Sequence, residues 1–477
     1  MSRTKTAQTP PDRIVPLHFF DDGPLWRAFI LYSMFVFDGV LDAEKLRSSL
    51  EQLTRREGWW KLGARLRQSR SETLEYHIPS SFSAERPSLA YSHIKHDMPA
   101  AEHPQAARIP RASKIPSVVG NPDDLPGLMR PEGGPLKLGD YINTDRPQLG
   151  LHIVSFTDTT LVTIHWPHTM CDAMGKKTIL DAWTLVLEGR EDEVQAPHGM
   201  EFDPFSKLGV NPPEPHKLVP QQLGMFGLLG FGVGLVPTVL RQQETRMVCV
   251  PRSFVERLRK DAIAQLAVAD NASEPPFLSE NDVLFAWWTK LAIAHLPQNS
   301  TRTVNLNNAF DMRKRLKPDI FPEGATYLSN GVSFINVLLK VKDIADKPVS
   351  YTASAIRKSI NELGTREQVE AFQGLVRQGP GKLPPFFGDR NMHLLTYSNW
   401  TKADLFSLDF SAARRDAGDA LRRTACKPRY IQNNHFGQTM PNAFPIIGKD
   451  NDGNYWLSGY MNKGHWARIE ELLAKET

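Results

Sequence analysis

LVTIHWPHTMCDAMG, residues 161–175, decides how this chain is read. A β-branched, apolar run feeds a sharp turn marked by Pro167, and that turn carries His168 and, four residues on, Asp172. The amphipathic stretch KKTILDAWTLVLEG follows, so the pattern predicts a strand, a tight turn and then a helix after Gly175. An imidazole placed there sits at a strand end, held by the scaffold and within reach of a ligand.

Spacing alone does not single out His168. The chain holds three His-x-x-x-Asp matches: His18 with Asp22, His93 with Asp97, and His168 with Asp172. His18 reads as the edge of a first strand in PLHFFDDGPLW, and His93 lies in the polar stretch SHIKHDMPAAEHP with no apolar strand before it. Only His168 follows a strand-like run and precedes a helical one, and context therefore selects it.

At 477 residues the chain exceeds one typical core, which implies two domains or one large pseudo-duplicated unit. Its 41% hydrophobic and 23% charged residues fit a globular protein and exclude a disordered one. The formal net charge of +4 is scattered, with no basic stripe interleaved with aromatics for a nucleic acid to bind. A small ligand bearing phosphates stays compatible. Cys171, Cys249 and Cys426 are too few, and odd in number, for a disulfide framework, which favours a reducing compartment. The opening MSRTKTAQTPPDR is polar and lacks the apolar core of a signal peptide, so a cytoplasmic location is expected.

LGMFGLLGFGVGLVPTVL (223–240) is uncharged and long enough to raise a transmembrane flag. Its glycines, Pro237 and its mid-chain position favour a buried or surface-packed connection, with loose membrane contact through 223–240 left open. GFGVG (230–234) is no dinucleotide fingerprint, because no strand precedes it and Pro237 is expected to interrupt any helix.

Upstream, ILYSMFVFDG reads as a strand and LDAEKLRSSLEQLTRR as a helix with Leu41, Leu46, Leu50 and Leu53 on one face. Residues 68–140 read as long loops over short strands, and QLGLHIVSF and TTLVTIHW as two strands turning near Asp158. A crossover linker covers 190–245, and a second α/β half starts near Met247. Its helices are PRSFVERLRKDAIAQLA and SENDVLFAWWTKLAIAHL, the second capped by Ser279, and its strands RTVNLNNAF and SNGVSFINVLLKV.

Several stretches recur in one order: KLRSSLEQL with LGARLR, HTMCDAMG, FLSENDVLFAWW, NNAFDMRKRLKP with YLSNGV, and TYSNWTKADLFSLDFS. Together they resemble the BAHD-like, HxxxD-type acyl-CoA-dependent acyltransferases, above all their fungal branch, such as trichothecene acetyltransferases. The resemblance spans nearly the whole chain. It implies an α/β fold of two chloramphenicol-acetyltransferase-like domains, mixed β-sheets flanked by helices, with an active-site channel between them. Domain 1–189 would carry HxxxD, 190–245 would cross over, and 246–477 would carry the SNW and DFS motifs. The implied activity moves an acyl group, acetyl by the fungal likeness, from acyl-CoA to a hydroxyl of a terpenoid, polyketide or alkaloid. No metal is implied, and the chain is expected to act as a monomer.

On this resemblance His168 is the general base; an imidazole titrating near ~6.5 can take and return a proton at working pH. Trp400 matches the tryptophan whose indole N–H is assigned to the oxyanion, with Ser398 at the neighbouring hydroxyl position. The competing reading of Trp400 is a core tryptophan with a satisfied N–H. Asp172 is expected to pair with an arginine rather than with the base, and Arg313 in DMRKRL is that arginine by position. Its competing reading is a solvated cap of the next helix. Asp409 is expected to order a loop away from the reacting atoms. No Lys or Arg stands out as a ligand of the coenzyme A phosphates.

Ala173 stands where the motif has Gly, and DFSAA replaces DFGWG, keeping Asp409 and Phe410 but losing both glycines and the tryptophan. Cys171 lacks an orienting acid, and the family reaction is direct transfer, which argues against a cysteine nucleophile. His165 and His168 lack further ligands for a metal, and His165 is expected on the opposite side of the strand. Two other classes share the fold: a condensation-type catalyst using carrier-bound acyl groups, and a non-catalytic relative kept for binding. The first is disfavoured by the missing doubled histidine and carrier module.

Overall fold

The run Thr159–Pro167 forms a strand buried along its whole length. Val162, Thr163 and Ile164 suit a pleated strand covered on both faces, where a continuous apolar run replaces strict alternation. This strand is the centre of a five-stranded sheet in the order Tyr430–Gly437, Phe29–Asp38, Thr159–Pro167, Gly150–Ser155, Ala90–Lys95. All neighbours are antiparallel except the last pair. The computed structural model describes residues 11–270, 276–415, 424–438 and 440–476, so the polar opening 1–10 lies outside the described residues.

The helices Ala43–Thr54 and Ala173–Leu187 pack together over this sheet and bury Leu46, Leu50, Leu53, Ile179, Leu180 and Trp183. The second helix starts three residues earlier than its apolar pattern suggests. Asp172 is the reason: its carboxylate accepts from the main-chain N–H groups of Met174 and Gly175, which fixes the first turn.

A seven-stranded sheet builds the other half, ordered Val332–Lys340, Thr303–Asp311, His393–Asn399, Ala443–Lys449, Tyr455–Asn462, Gln243–Val250, Ser117–Gly120. Helices Arg252–Asp270, Glu280–Ala292 and Val349–Leu363 cover it, around Trp288, Tyr397 and Trp466. Ser279 caps Glu280–Ala292 in a reciprocal box with Asp282. A small sheet of Arg13–Pro16, Leu74–Ile78 and Arg65–Gln68 completes the architecture.

Each large sheet borrows an edge strand from the other half of the chain. Tyr430–Gly437 pairs antiparallel with Phe29–Asp38, and Ser117–Gly120 with Gln243–Val250. The exchange covers an edge that would otherwise stand unpaired and ties the halves together by main-chain hydrogen bonds. The segment after His393–Asn399 also crosses over: Phe410 stacks on Phe37 at 5.1 Å and meets Trp183 edge-on at 4.9 Å. Asp409 Oδ1 accepts from the N–H groups of Ser411 and Cys426. Neither Ser411 nor Ala413 has a positive φ, so replacing the two motif glycines strains no backbone.

Residues 190–245 hold more structure than a linker. Met225–Leu240 is a sixteen-residue helix, and Pro237 lies inside it instead of interrupting it. Proline removes one main-chain donor, and near an exposed end water can serve the carbonyl it leaves behind. Among the described residues no helix is long and apolar enough to cross a membrane.

Burial pushes the imidazoles of His152, His216, His295 and His435 down to about 4, and those of His165 and His393 to about 3. These rings stay neutral in the fold but take up protons near ~6.5 once unfolded. Their contribution to stability is complete above that pH and is lost as pH falls through about 4. The melting temperature is expected to drop by at least several degrees between pH 7.5 and pH 5; a flat melting temperature across that range contradicts this account.

Candidate active site

His168 follows directly on the central strand, and two main-chain bonds hold it there. Its N–H donates to the Phe29 carbonyl at 3.0 Å, and its carbonyl accepts from Asn330 Nδ2 at 3.0 Å. The half-buried ring lies against Trp26, with centroids 4.6 Å apart, and its Nδ1 has no hydrogen-bond partner among the described residues. Burial pulls its pKa below the ordinary value, while its own main chain, Asp172, Asn330 and Asp21 pull it back up. A neutral imidazole offers one acceptor nitrogen, which is what proton abstraction requires.

Behind the turn, a buried ion pair fixes Asn330. Lys61 Nζ lies 3.2 Å from Asp21 Oδ2, with the two side chains 3% and 1% exposed, and also donates to Ser329 Oγ at 2.5 Å. Asp21 Oδ1 accepts from both the main-chain N–H and Nδ2 of Asn330, at 2.9 and 2.8 Å. One amide nitrogen thus links this ion pair to the backbone of the candidate base.

Asp172 grips the same segment from the other side. Arg313 Nη2 donates to its two oxygens at 2.8 and 2.9 Å, and Gly331 N–H donates to Oδ2 at 2.8 Å. Together with the two helix N–H groups, the carboxylate receives five hydrogen bonds. It is therefore both helix cap and ion-pair partner, and it makes no bond to His168 Nδ1. Burial works against the Arg313 charge, yet the carboxylates of Asp172 and Asp311 outweigh it and hold its pKa above the ordinary value. Gly175 permits the approach: a Cβ there would stand 2.1 Å from the Leu328 carbonyl oxygen. The residue that must stay small is thus Gly175, and Ala173 sits without conflict in the first helical turn.

Trp400 and Ser398 form a second cluster. The indole Nε1–H donates to Ser398 Oγ at 2.7 Å, and the Trp400 main-chain N–H donates to the Ile446 carbonyl at 2.9 Å. Lys176 Nζ lies 4.7 Å from the indole ring centre and donates to Ser33 Oγ and Asn433 Oδ1 at 2.9 and 3.0 Å. Burial pulls the Lys176 amine down to about 7. Asp409 belongs to neither cluster and spends its hydrogen bonds on the loop from Ser411 to Cys426.

A small, largely apolar cavity lies beside the turn, walled by Trp26 and Asn330 together with Phe19, Leu25, Phe334 and Phe372. Its apolar lining suits a hydrophobic ligand with few polar groups. Cys171 is buried and its thiol is pushed well up, so it offers no thiolate. His165 points to the far face, where it stacks on Tyr32 at 4.9 Å and fills the space left by Gly150. Among the described residues no group of three or more metal-ligating side chains could hold an ion.

Trp26, Asn330, Asp21, Lys61 and Lys176 carry no signal in the sequence that would assign them a role. Asn330 stands inside YLSNGV, so its segment was marked without its function. For the two lysines no local pattern exists, because their partners lie far away along the chain. Asp172→Ala should lower the unfolding free energy by about 2–4 kcal/mol, since it removes the buried carboxylate of Arg313, leaves that charge Asp311 alone, and uncaps a helix. Chemical denaturation measures this, and a loss under ~1 kcal/mol would show a solvated pair instead.

Residues 137–414 match the Transferase family. A Penicillium decumbens protein named Transcriptional regulator calD is 41% identical over 487 residues, covering 99% of this chain and 98% of that protein. Acetyltransferase adrJ of Penicillium roqueforti is 37% identical over 485 residues, covering 99% of this chain and 97% of that protein. Among solved structures, TRI101 of F. sporotrichioides complexed with coenzyme A and T-2 superposes with a TM-score of 0.68 at 16% identity. That match covers 97% of this chain and 98% of the other, which shows a shared fold. The chain belongs to the Transferase family, as an acyl-CoA-dependent acyltransferase of the BAHD type.

Proposed function

We propose that this enzyme transfers an acetyl group from acetyl-CoA to a hydroxyl of an apolar specialised metabolite, with His168 as general base. One observation carries the reading: an imidazole with an unpartnered nitrogen, fixed at its main chain, next to Trp26 and Asn330 in the wall of an apolar cavity. His168 takes the hydroxyl proton as the acceptor oxygen attacks the thioester carbonyl. A C–O bond forms and the carbonyl becomes an oxyanion. Its collapse breaks the C–S bond, and the departing coenzyme A thiolate recovers the proton from His168.

The oxyanion needs a fixed donor. Because the Trp400 indole N–H already donates to Ser398 Oγ, the Ser398 O–H is left to point at the developing charge. In this reading Ser398 is the direct donor and Trp400 polarises it. The acetyl donor is supported by relatives named acetyltransferases, and the acceptor class by the apolar cavity and by TRI101, solved with coenzyme A and T-2.

The regulator name of the Penicillium decumbens relative favours a second reading, a scaffold kept for binding. Turnover separates the two. The pure protein is incubated with acetyl-CoA and a panel of hydroxylated terpenoids, polyketides and alkaloids, and free thiol and product mass are measured. Thiol release with a product heavier by one acetyl group is expected. Saturable coenzyme A binding without release would support the second reading, and turnover with carrier-bound donors alone a condensation catalyst.

His168→Ala should stay folded and lose roughly 10²–10⁴-fold in turnover; near-normal activity removes the assignment. Because burial lowers the His168 pKa, kcat/KM should rise with pH through a midpoint below ~6.5 and stay level above it. A midpoint above that value contradicts the neutral, desolvated base.

A further inference from the structure

Exposed apolar side chains become contiguous on one helix of this molecule. Along Met225–Leu240, the residues Met225, Phe226, Leu229, Val233, Val236 and Leu240 face solvent, Phe226 at 89% and Val233 at 73% exposure. At 3.6 residues per turn these six fall within an arc of about 100°. The opposite side is packed: Phe231 is buried, with its ring 5.3 Å from that of Phe386. The helix carries no charged residue, and a water-facing stripe of this extent marks an interaction surface.

The rim of the stripe is cationic. Arg241 follows the helix directly, and the Lys463 N–H donates to the Gln242 carbonyl at 2.8 Å. Arg390 lies along a notch left by Gly230 and Gly234; a Cβ on Gly230 would meet its Cδ at 3.4 Å. Arg241, Arg390 and Lys463 are exposed, and none of them is in an ion pair among the described residues. The nearby acids form no ion pair with these three cations: Glu244 accepts from the Gly464 N–H and lies 3.9 Å from Arg246, and Asp389 accepts from the Thr303 hydroxyl. A second copy of this chain would bring like-charged rims together, whereas an anionic lipid surface satisfies both the stripe and its rim.

We propose that the Met225–Leu240 helix docks this enzyme on an anionic lipid surface. It lies in the headgroup plane with its apolar stripe in the acyl boundary, since at about 24 Å it is too short to span. The segment 382–387 joins this surface to the cavity: Lys382 and Pro384 line the cavity, and Phe386 packs on the helix. Docking sets the cavity near the phase into which an apolar alcohol partitions. That last link rests on the function proposed above; the docking does not.

The test is co-sedimentation of the full chain with vesicles of phosphatidylcholine alone or with about 30% phosphatidylserine. Binding to the anionic vesicles is expected to exceed binding to the neutral ones by roughly 10-fold and to weaken in high salt. The triple variant Phe226→Ser, Leu229→Ser, Val233→Ser should lose roughly 10-fold in vesicle binding while keeping its melting temperature. Absent sedimentation, equal binding to the two compositions, or undiminished binding of the triple variant each overturns the proposal. A dimer seen by light scattering and abolished by the triple variant would assign the stripe to a second copy and overturn it as well. Sedimentation needs no turnover, so its failure is distinct from a failure of acyl transfer.

Discussion

Everything in the candidate site hangs on how the segment 329–331 is held. From one side Asp172 and Arg313 take its main chain, through the Gly331 N–H and the Ser329 carbonyl. From the other side Lys61 and Asp21 take its side chains, through Ser329 Oγ and the Asn330 amide. Between the two grips, Asn330 reaches the His168 carbonyl. Four charges therefore position one strand end without a hydrogen bond to His168 Nδ1. Such pairs contribute little net stability against an apolar alternative, but removing one partner is costly. Their effect here is geometric: each charge forces its partner to one place.

The second buried lysine is arranged differently. Lys61 has a carboxylate; Lys176 has only the Ser33 hydroxyl, the Asn433 amide oxygen and the face of Trp400. With no counter-charge, burial brings it down to about 7. Burial without a counter-charge thus weakens its hold on a proton beside the Trp400–Ser398 pair. An uncompensated ammonium is tolerated where negative charge develops transiently, because the developing charge meets a field already in place.

Much of this is legible in the chain itself. The strand, turn and helix around residues 161–175 follow from period and punctuation, and the order of five motifs pointed to the fold. Arg313 could be named as the partner of Asp172 because both stand in recurring motifs. What stayed hidden depends on distance along the chain. The Tyr430–Gly437 strand, YIQNNHFG, is too polar to read as a core strand, and nothing local says that it joins Phe29–Asp38. Lys61, a charged residue in the short 3-10 turn Trp60–Gly63, gives no sign that its side chain is 3% exposed. His93 read as loop because SHIKHD is polar, yet it lies in the edge strand Ala90–Lys95, where one paired neighbour is enough. Glycine and proline lower the intrinsic propensity of Met225–Leu240 and hide the helix; packing against Phe386 and Met392 outweighs that deficit.

The strand exchange and the buried grips serve the same end. His168 comes from the N-terminal sheet, Ser398 and Trp400 from the C-terminal one, and Asn433 from a strand that began in one half and pairs in the other. Were the halves joined only by side chains, small sliding motions would vary the gap between His168 and the Ser398–Trp400 pair, the base and oxyanion donor of the proposed reaction. Main-chain ladders resist such sliding, because a register shift breaks every hydrogen bond along the borrowed strand and turns each side chain to the wrong face. Acyl transfer needs proton acceptor and oxyanion donor held to a fraction of an ångström. A fold that splits the two groups between halves can meet that demand only by interlocking the halves, and these sheets do so at both shared edges.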